Sequence, residues 1–223
     1  VLVDHITSQT ALVLPLQRIA DACRRKGALV LVDAAHSPGA IDVDIESYGA
    51  YWYTANLHKW GFAPRSSAIL WAASEHHANL HPTVISWGLD NGTAAEFDLL
   101  GTREPTPFLV APFALDLVEE WGGSRLRSHN HNTAWAAAMR IRDEFGRDLA
   151  TPEEMTGPMV NVGLPVSFGT TTDEALALQS MLLSVHGVEV PMFGHADGIR
   201  MRISAQIYND GSDIERLVAA LKG

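Results

Sequence analysis

Tyr53-Thr54-Ala55-Asn56-Leu57-His58-Lys59-Trp60 is the stretch whose reading decides the fold of this chain. It grows out of the apolar, aromatic run 50–53 and leads into Gly61-Phe62-Ala63-Pro64, so a lysine falls just beyond a strand end. That setting predicts a largely desolvated Lys59. Burial disfavours an ammonium ion, so the amine would lose its proton more easily and could attack an aldehyde. A lone lysine would carry no such meaning, because lysines are almost never fully buried. The context comes from Leu29-Val30-Leu31-Val32-Asp33-Ala34-Ala35-His36-Ser37-Pro38-Gly39. There an apolar strand delivers a carboxylate, with a histidine three residues later, into a Pro-Gly turn.

Working outward, residues 1–3 form another short apolar run, ending at Asp4-His5. Between the two runs, 16–26 has helical spacing. Leu16, Ile19, Ala20 and Cys23 share a face, the basic residues Arg24, Arg25 and Lys26 suit the negative end of the helix dipole, and Gly27 is the stop. Strand, helix, strand is a βαβ unit with a right-handed crossover. The run 28–32 suits a parallel strand buried on both faces. Residues 50–53 begin a third strand, and 67–71 a fourth that hairpins back toward the lysine. In open α/β sheets ligands gather at the carboxyl ends of the strands. Asp4, His5 and Ser8, then Asp33 and His36, then His58 and Lys59 all fall at such ends.

Farther on, 85–107 reads as a long loop rich in glycine and proline, a kind of segment that is usually functional or disordered. A helix is predicted over 108–121, Gly122-Gly123 is the strongest breaker, and 126–145 is a long helix. Strands at 159–164, 188–192 and 199–207 and helices at 173–186 and 213–221 complete the tail, with Ser212 capping the last helix and Glu215 at its capping-box position. The expected division is a larger unit over 1–125 and a small α+β unit over 126–223.

With 47% hydrophobic and 19% charged residues the 223-residue chain has an ordinary globular composition. Its net charge of −10 argues against nucleic acid or an anionic membrane as partner. No run approaches the roughly 20 apolar residues of a membrane span. A single cysteine, Cys23, excludes an intrachain disulfide and fits a reducing, cytoplasmic compartment. His77 and His81 have the spacing of zinc ligands on a helix, but no acidic partner at motif spacing accompanies them, and no metal is expected. A nucleotide-binding domain is disfavoured because Gly-x-Gly-x-x-Gly and the P-loop pattern are both missing. The opening Val1-Leu2-Val3, a strand already under way without a methionine, raises the expectation of a preceding N-terminal portion.

Taken in order, these pieces resemble the class V group of fold-type I pyridoxal-phosphate enzymes, and within it isopenicillin N epimerase and its relatives. The resemblance covers nearly the whole chain. It is carried by His5-Ile6-Thr7-Ser8, by Val32 through Gly39, by Asn56-Leu57-His58-Lys59-Trp60 with Ala63-Pro64, by Gly101-Thr102-Arg103-Glu104-Pro105-Thr106-Pro107, by Val188-Glu189-Val190-Pro191, and by Arg202-Ile203-Ser204-Ala205-Gln206-Ile207-Tyr208-Asn209. It implies a three-layer αβα large-domain part, lacking its N-terminal portion, followed by a small α+β domain. It also implies pyridoxal 5′-phosphate as cofactor, an amino-acid-like substrate, and a homodimer with a shared active site.

The resemblance further assigns roles. Lys59 would form the internal aldimine and move protons at Cα. Asp33 would pair with the pyridine nitrogen, keeping it protonated so that the ring is an electron sink. His36 would hydrogen-bond the ring's phenolic oxygen, and Asn56 and His58 would reach the phosphate. Gly101 and Thr102 would cap the phosphate of the neighbouring subunit. Arg202 would clamp the substrate α-carboxylate, a task suited to a bidentate guanidinium. Ser8 stands near the substrate, where relatives often carry asparagine. Cysteine desulfurases of the class use a loop cysteine shortly before that arginine; none occurs between Val188 and Arg202, so persulfide chemistry there is not expected. Epimerisation, transamination, C–S elimination and decarboxylation remain open outcomes, as does a non-catalytic pseudo-enzyme or a fragment that serves as a dimerisation partner. Epimerisation needs a second acid/base, for which His5 and Tyr208 are candidates by position alone.

Overall fold

The computed structural model describes all 223 residues, Val1–Gly223. The chain divides into two compact units, Val1–His5 with Pro15–Val118, and Ile6–Leu14 with Glu119–Gly223. The assignment of 6–14 to the second unit was not visible in the sequence pattern.

The first unit begins with β1 (Leu2–Asp4), α1 (Leu16–Arg24) and β2 (Leu31–Asp33). It continues through β3 (Trp52–Asn56) and β4 (Ala68–Ala72) to the short α2 (Thr93–Asp98) and then α3 (Thr106–Glu120). The four strands form one sheet in the order β1-β2-β3-β4. The first three are parallel, with Asp4 opposite Asp33 and Asp33 opposite Thr54, so their carboxyl ends share one edge. β4 runs antiparallel to β3, with Asn56 opposite Ala68, as the expected hairpin.

Leu16 and Ala20 of α1 pack with Val30, Val32, Tyr53 and Ala55 in a single core cluster. Burial on both faces, expected for 28–32, is not observed. Val32 is buried but Leu31 is half-buried and Leu29 exposed. α1 covers one face of these strands, and the side chains that alternate to the other face, Leu31, Trp52 and Thr54, are only partly covered. The segment 85–107 is not loop throughout, since α2 lies within it.

The second unit holds α4 (Ser124–Phe145), β5 (Met159–Gly163), α5 (Thr172–His186), β6 (Met192–Phe193), β7 (Arg200–Ser204) and α6 (Gly211–Lys222). Its strands make an antiparallel sheet in the order β5-β7-β6. Met201 and Ile203 of β7 join Ala134, Ala138 and Ile141 of α4, Leu182 of α5 and Leu217 of α6 in the core. Arg200, Arg202 and Ser204 alternate to the other side of the strand.

Two local expectations are corrected here. The strand expected over 188–192 shrinks to Met192–Phe193. Pro191 accepts from Arg202 N at 3.0 Å but has no N–H to return, so the ladder stops there. The cap of α6 is Asp210 with Asp213, not Ser212 with Glu215. Asp210 accepts from Ser212 N at 2.7 Å, while Glu215 faces Arg140 of α4 at 2.8 Å.

Candidate functional site

The lysine loop is built from its flanks inward. Leu57 and Ala63 are buried together with Ala111 and Ala114 of α3, and Ala63 N donates to Leu57 O at 3.1 Å, closing the turn. Trp60 is buried as well. Between these anchors Lys59 projects outward and is exposed. The desolvated lysine expected from the sequence is therefore not found. Apolar flanks bury themselves against α3, and in doing so they turn the intervening side chain away from the core.

The Asp33–Gly39 turn lies directly against this loop. At Gly39, where φ is +83°, an added Cβ would sit 2.3 Å from the carbonyl oxygen of Trp60. Only glycine permits that approach and that backbone angle. The result is a distance of 3.3 Å between Lys59 Nζ and His36 Nε2. An ammonium at that position donates to Nε2, which requires a neutral imidazole carrying its proton on Nδ1. Asp33, half-buried at the end of β2, accepts from Ala35 N at 3.0 Å and so shapes the same turn. Asn56 ends β3 and is half-buried. His58 Nδ1 lies 3.1 Å from the carbonyl of Ser67 and donates to it, which leaves Nε2 as the nitrogen available to a ligand.

Asp33, His36, Asn56, His58 and Lys59 thus belong to one edge of the first unit. Gly101 and Thr102 are exposed, in the segment between α2 and α3. Ser8 and Arg202 are together in the second unit. Arg202 Nη1 donates to Ser8 O at 2.7 Å and lies 3.3 Å from Ser8 Oγ. Burial pushes the Arg202 guanidinium below the usual arginine range.

His5, a positional candidate for a second acid/base, points into the core. It is 4% exposed, with Nδ1 3.0 Å from the Tyr53 hydroxyl and its ring edge-on to Tyr48 and Tyr53. Burial pushes its pKa down to about 4 and pushes the Tyr53 phenol up, so both are neutral near pH 7. Nothing in the hydrophobic pattern pointed to this pair, because the two residues are 48 positions apart. A consequence is testable. The unfolded chain takes up a proton at His5 near its ordinary pKa, whereas the folded chain does so only near pH 4. Stability supplied by neutral His5 is complete above pH 6.5 and is lost as pH falls from there toward 4, by about 3 kcal/mol. Urea unfolding of the wild type and His5→Gln across that range checks it; equal pH slopes in the two proteins would contradict the assignment.

The histidines of the 76–81 cluster have local partners. His76 packs on Trp52 and Tyr51, His77 Nε2 donates to Ala72 O at 2.9 Å, and His81 Nδ1 meets the buried carboxylate of Glu96 at 2.7 Å. Tyr208 is exposed beyond β7. No helix is long and apolar enough to cross a membrane.

The family model described as aminotransferase class-V matches residues 1–217. A probable chloroplastic L-cysteine desulfhydrase of Arabidopsis thaliana is 37% identical over 237 residues, covering 100% of this chain and 50% of the relative. Isopenicillin N epimerase of Amycolatopsis lactamdurans is 31% identical over 236 residues, covering 98% of this chain and 58% of the relative. Among solved structures, a cysteine desulfurase from Thermococcus onnurineus matches with a TM-score of 0.80 at 18% identity, over 99% of this chain and 58% of that one. The last likeness concerns the fold. The chain spans about half the length of the curated relatives it matches.

Proposed function

The chain belongs to the aminotransferase class-V family, and from that premise we propose that it acts at the Cα of an amino-acid substrate with pyridoxal 5′-phosphate held at the Lys59 edge of its sheet. The cofactor is that of the class V relatives. The donor set fits it: a carboxylate on Asp33, an imidazole on His36 and an exposed amine on Lys59 occupy one sheet edge, with Asn56 and His58 Nε2 beside them. The observation that carries the reading is the 3.3 Å pairing of Lys59 with His36, enforced by the close approach at Gly39.

When bound, the cofactor supplies an electron sink that stabilises negative charge at Cα. The chain's own groups do the rest. Asp33 would keep a proton on the pyridine nitrogen, because a neighbouring negative charge favours the cationic form. His36 would hydrogen-bond the phenolic oxygen, and Asn56 and His58 would hold the phosphate. Arg202 would orient the substrate through its α-carboxylate, with Ser8 beside it. Lys59 would take the Cα proton. Gly101 and Thr102, exposed between α2 and α3, would serve the phosphate site of a second copy in a homodimer.

Among the outcomes open to such a site, loss of a thiol from Cβ is favoured over epimerisation. Inverting Cα needs a second acid/base on the opposite face; His5 is buried against Tyr53, which leaves the exposed Tyr208 as the remaining positional candidate. The relative named as a desulfhydrase is also more similar than the one named as an epimerase. In balanced form, L-cysteine and water give hydrogen sulfide, pyruvate and ammonia: Cα–H and Cβ–S break, the sulfur leaves with a proton as hydrogen sulfide, and water then cleaves the C–N bond of the released imine to give pyruvate and ammonia. Incubation with L-cysteine should release sulfide and pyruvate in equal amounts. Inversion at Cα without sulfide would establish epimerisation in its place, and a keto acid with an aminated cofactor would establish transamination.

A further inference from the structure

We propose that Thr7 and Asn161 are positioning residues for Arg202, acting through the backbone of the 6–14 loop so that the guanidinium offers its Nε–Nη2 edge to a carboxylate. The proposal rests on the reading of Arg202 as the carboxylate ligand and says how that ligand is held.

A guanidinium can meet a carboxylate two-pronged through both Nη atoms or through Nε and Nη2. Nη1 of Arg202 is committed to Ser8 O at 2.7 Å. Nε is sealed from solvent and has no protein acceptor. The Nε edge therefore carries a donor that folding leaves unmet, and a carboxylate that displaces the groups covering Nε would satisfy it.

The contact to Ser8 is mainly to its carbonyl, since the hydroxyl is farther away at 3.3 Å. What matters is then the path of the loop backbone. Thr7 fixes it from within: Oγ1 accepts from Leu12 N at 2.8 Å and meets Thr10 Oγ1 at 2.5 Å, while Thr7 N donates to Leu12 O at 3.0 Å. Asn161 fixes it from the sheet. It stands directly opposite Arg202 in the β5–β7 register, and its Nδ2 donates to Gln9 O at 2.9 Å. One cross-strand pair thus ties two consecutive carbonyls of the loop, Ser8 by Arg202 and Gln9 by Asn161.

The test reads the arginine Nε–H signals of ¹⁵N-labelled protein by NMR, with Arg202→Lys identifying the Arg202 resonance and L-alanine and L-alaninamide as probes. L-Alanine should move the Arg202 Nε–H signal, and L-alaninamide, which lacks the carboxylate, should not. Thr7→Val and Asn161→Ala should weaken L-alanine binding about five- to tenfold with thermal unfolding close to wild type. Thr7→Ser, which keeps the hydroxyl, should restore it. L-Alanine binding that leaves the Nε–H signal still, or wild-type affinity in both Thr7→Val and Asn161→Ala, would overturn the proposal. Undiminished L-alanine binding by Arg202→Lys would instead remove the carboxylate role of Arg202 itself, and this inference with it.

Discussion

Lys59→Ala is expected to lower Cα chemistry by about 10³-fold, in the middle of the range for a positioned acid or base, while leaving the fold intact. The side chain is exposed, and the loop's position is set by buried Leu57, Trp60 and Ala63, none of which changes. Substitution at such an exposed site shifts stability by no more than about 0.5 kcal/mol. Two readouts separate the chemical role from a structural one. Pyridoxal 5′-phosphate should acquire an absorbance band on the wild type that is missing in the variant. Borohydride followed by peptide mass spectrometry should find the reduced adduct on Lys59. The chain contains an internal control, because Lys26 and Lys222 are its other lysines. Lys26 is exposed just past α1, and Lys222 is paired with Glu144 at 2.7 Å. An adduct on either, with Lys59 unmodified, would refute the assignment.

Asp33→Asn should lower activity by about 10- to 1000-fold without destabilising the protein. The structure makes this substitution unusually clean. Asp33 has a local role, accepting from Ala35 N at 3.0 Å, and an asparagine oxygen accepts that bond equally well. What asparagine removes is the negative charge. An opposite charge close to an ionisable nitrogen moves its pKa by about 1–3, and each such step is a factor of ten. Asp33→Ala, by contrast, removes both the charge and the turn. If Asp33→Asn keeps full activity while Asp33→Ala loses both activity and stability, the residue is a turn former and nothing more.

The features legible in the sequence are those decided by short stretches of chain. The βαβ start, the β3–β4 hairpin and the helix after Gly122-Gly123 follow from apolar periodicity and breakers within a few tens of residues. Even there, ends moved when a single atom intervened. The missing N–H of Pro191 cut β6 short, and the Asp210 carboxylate moved the start of α6 to Gly211.

For the candidate site, the sequence alone determined which residues stand at the carboxyl edge of the parallel strands, because strand order and alternation place Asp33, Asn56 and Lys59 there whatever surrounds them. Tertiary structure decided what each of them experiences. Lys59 is exposed because its neighbours bury themselves on α3, more than 40 residues later in the chain. His5 is neutral and inaccessible because Tyr53 lies beside it in the core. Ser8 meets Arg202 because 6–14 leaves the strand that precedes it and joins the second unit. Burial, and with it protonation and access, is set by whatever lies next in space, and chain separation carries no record of that.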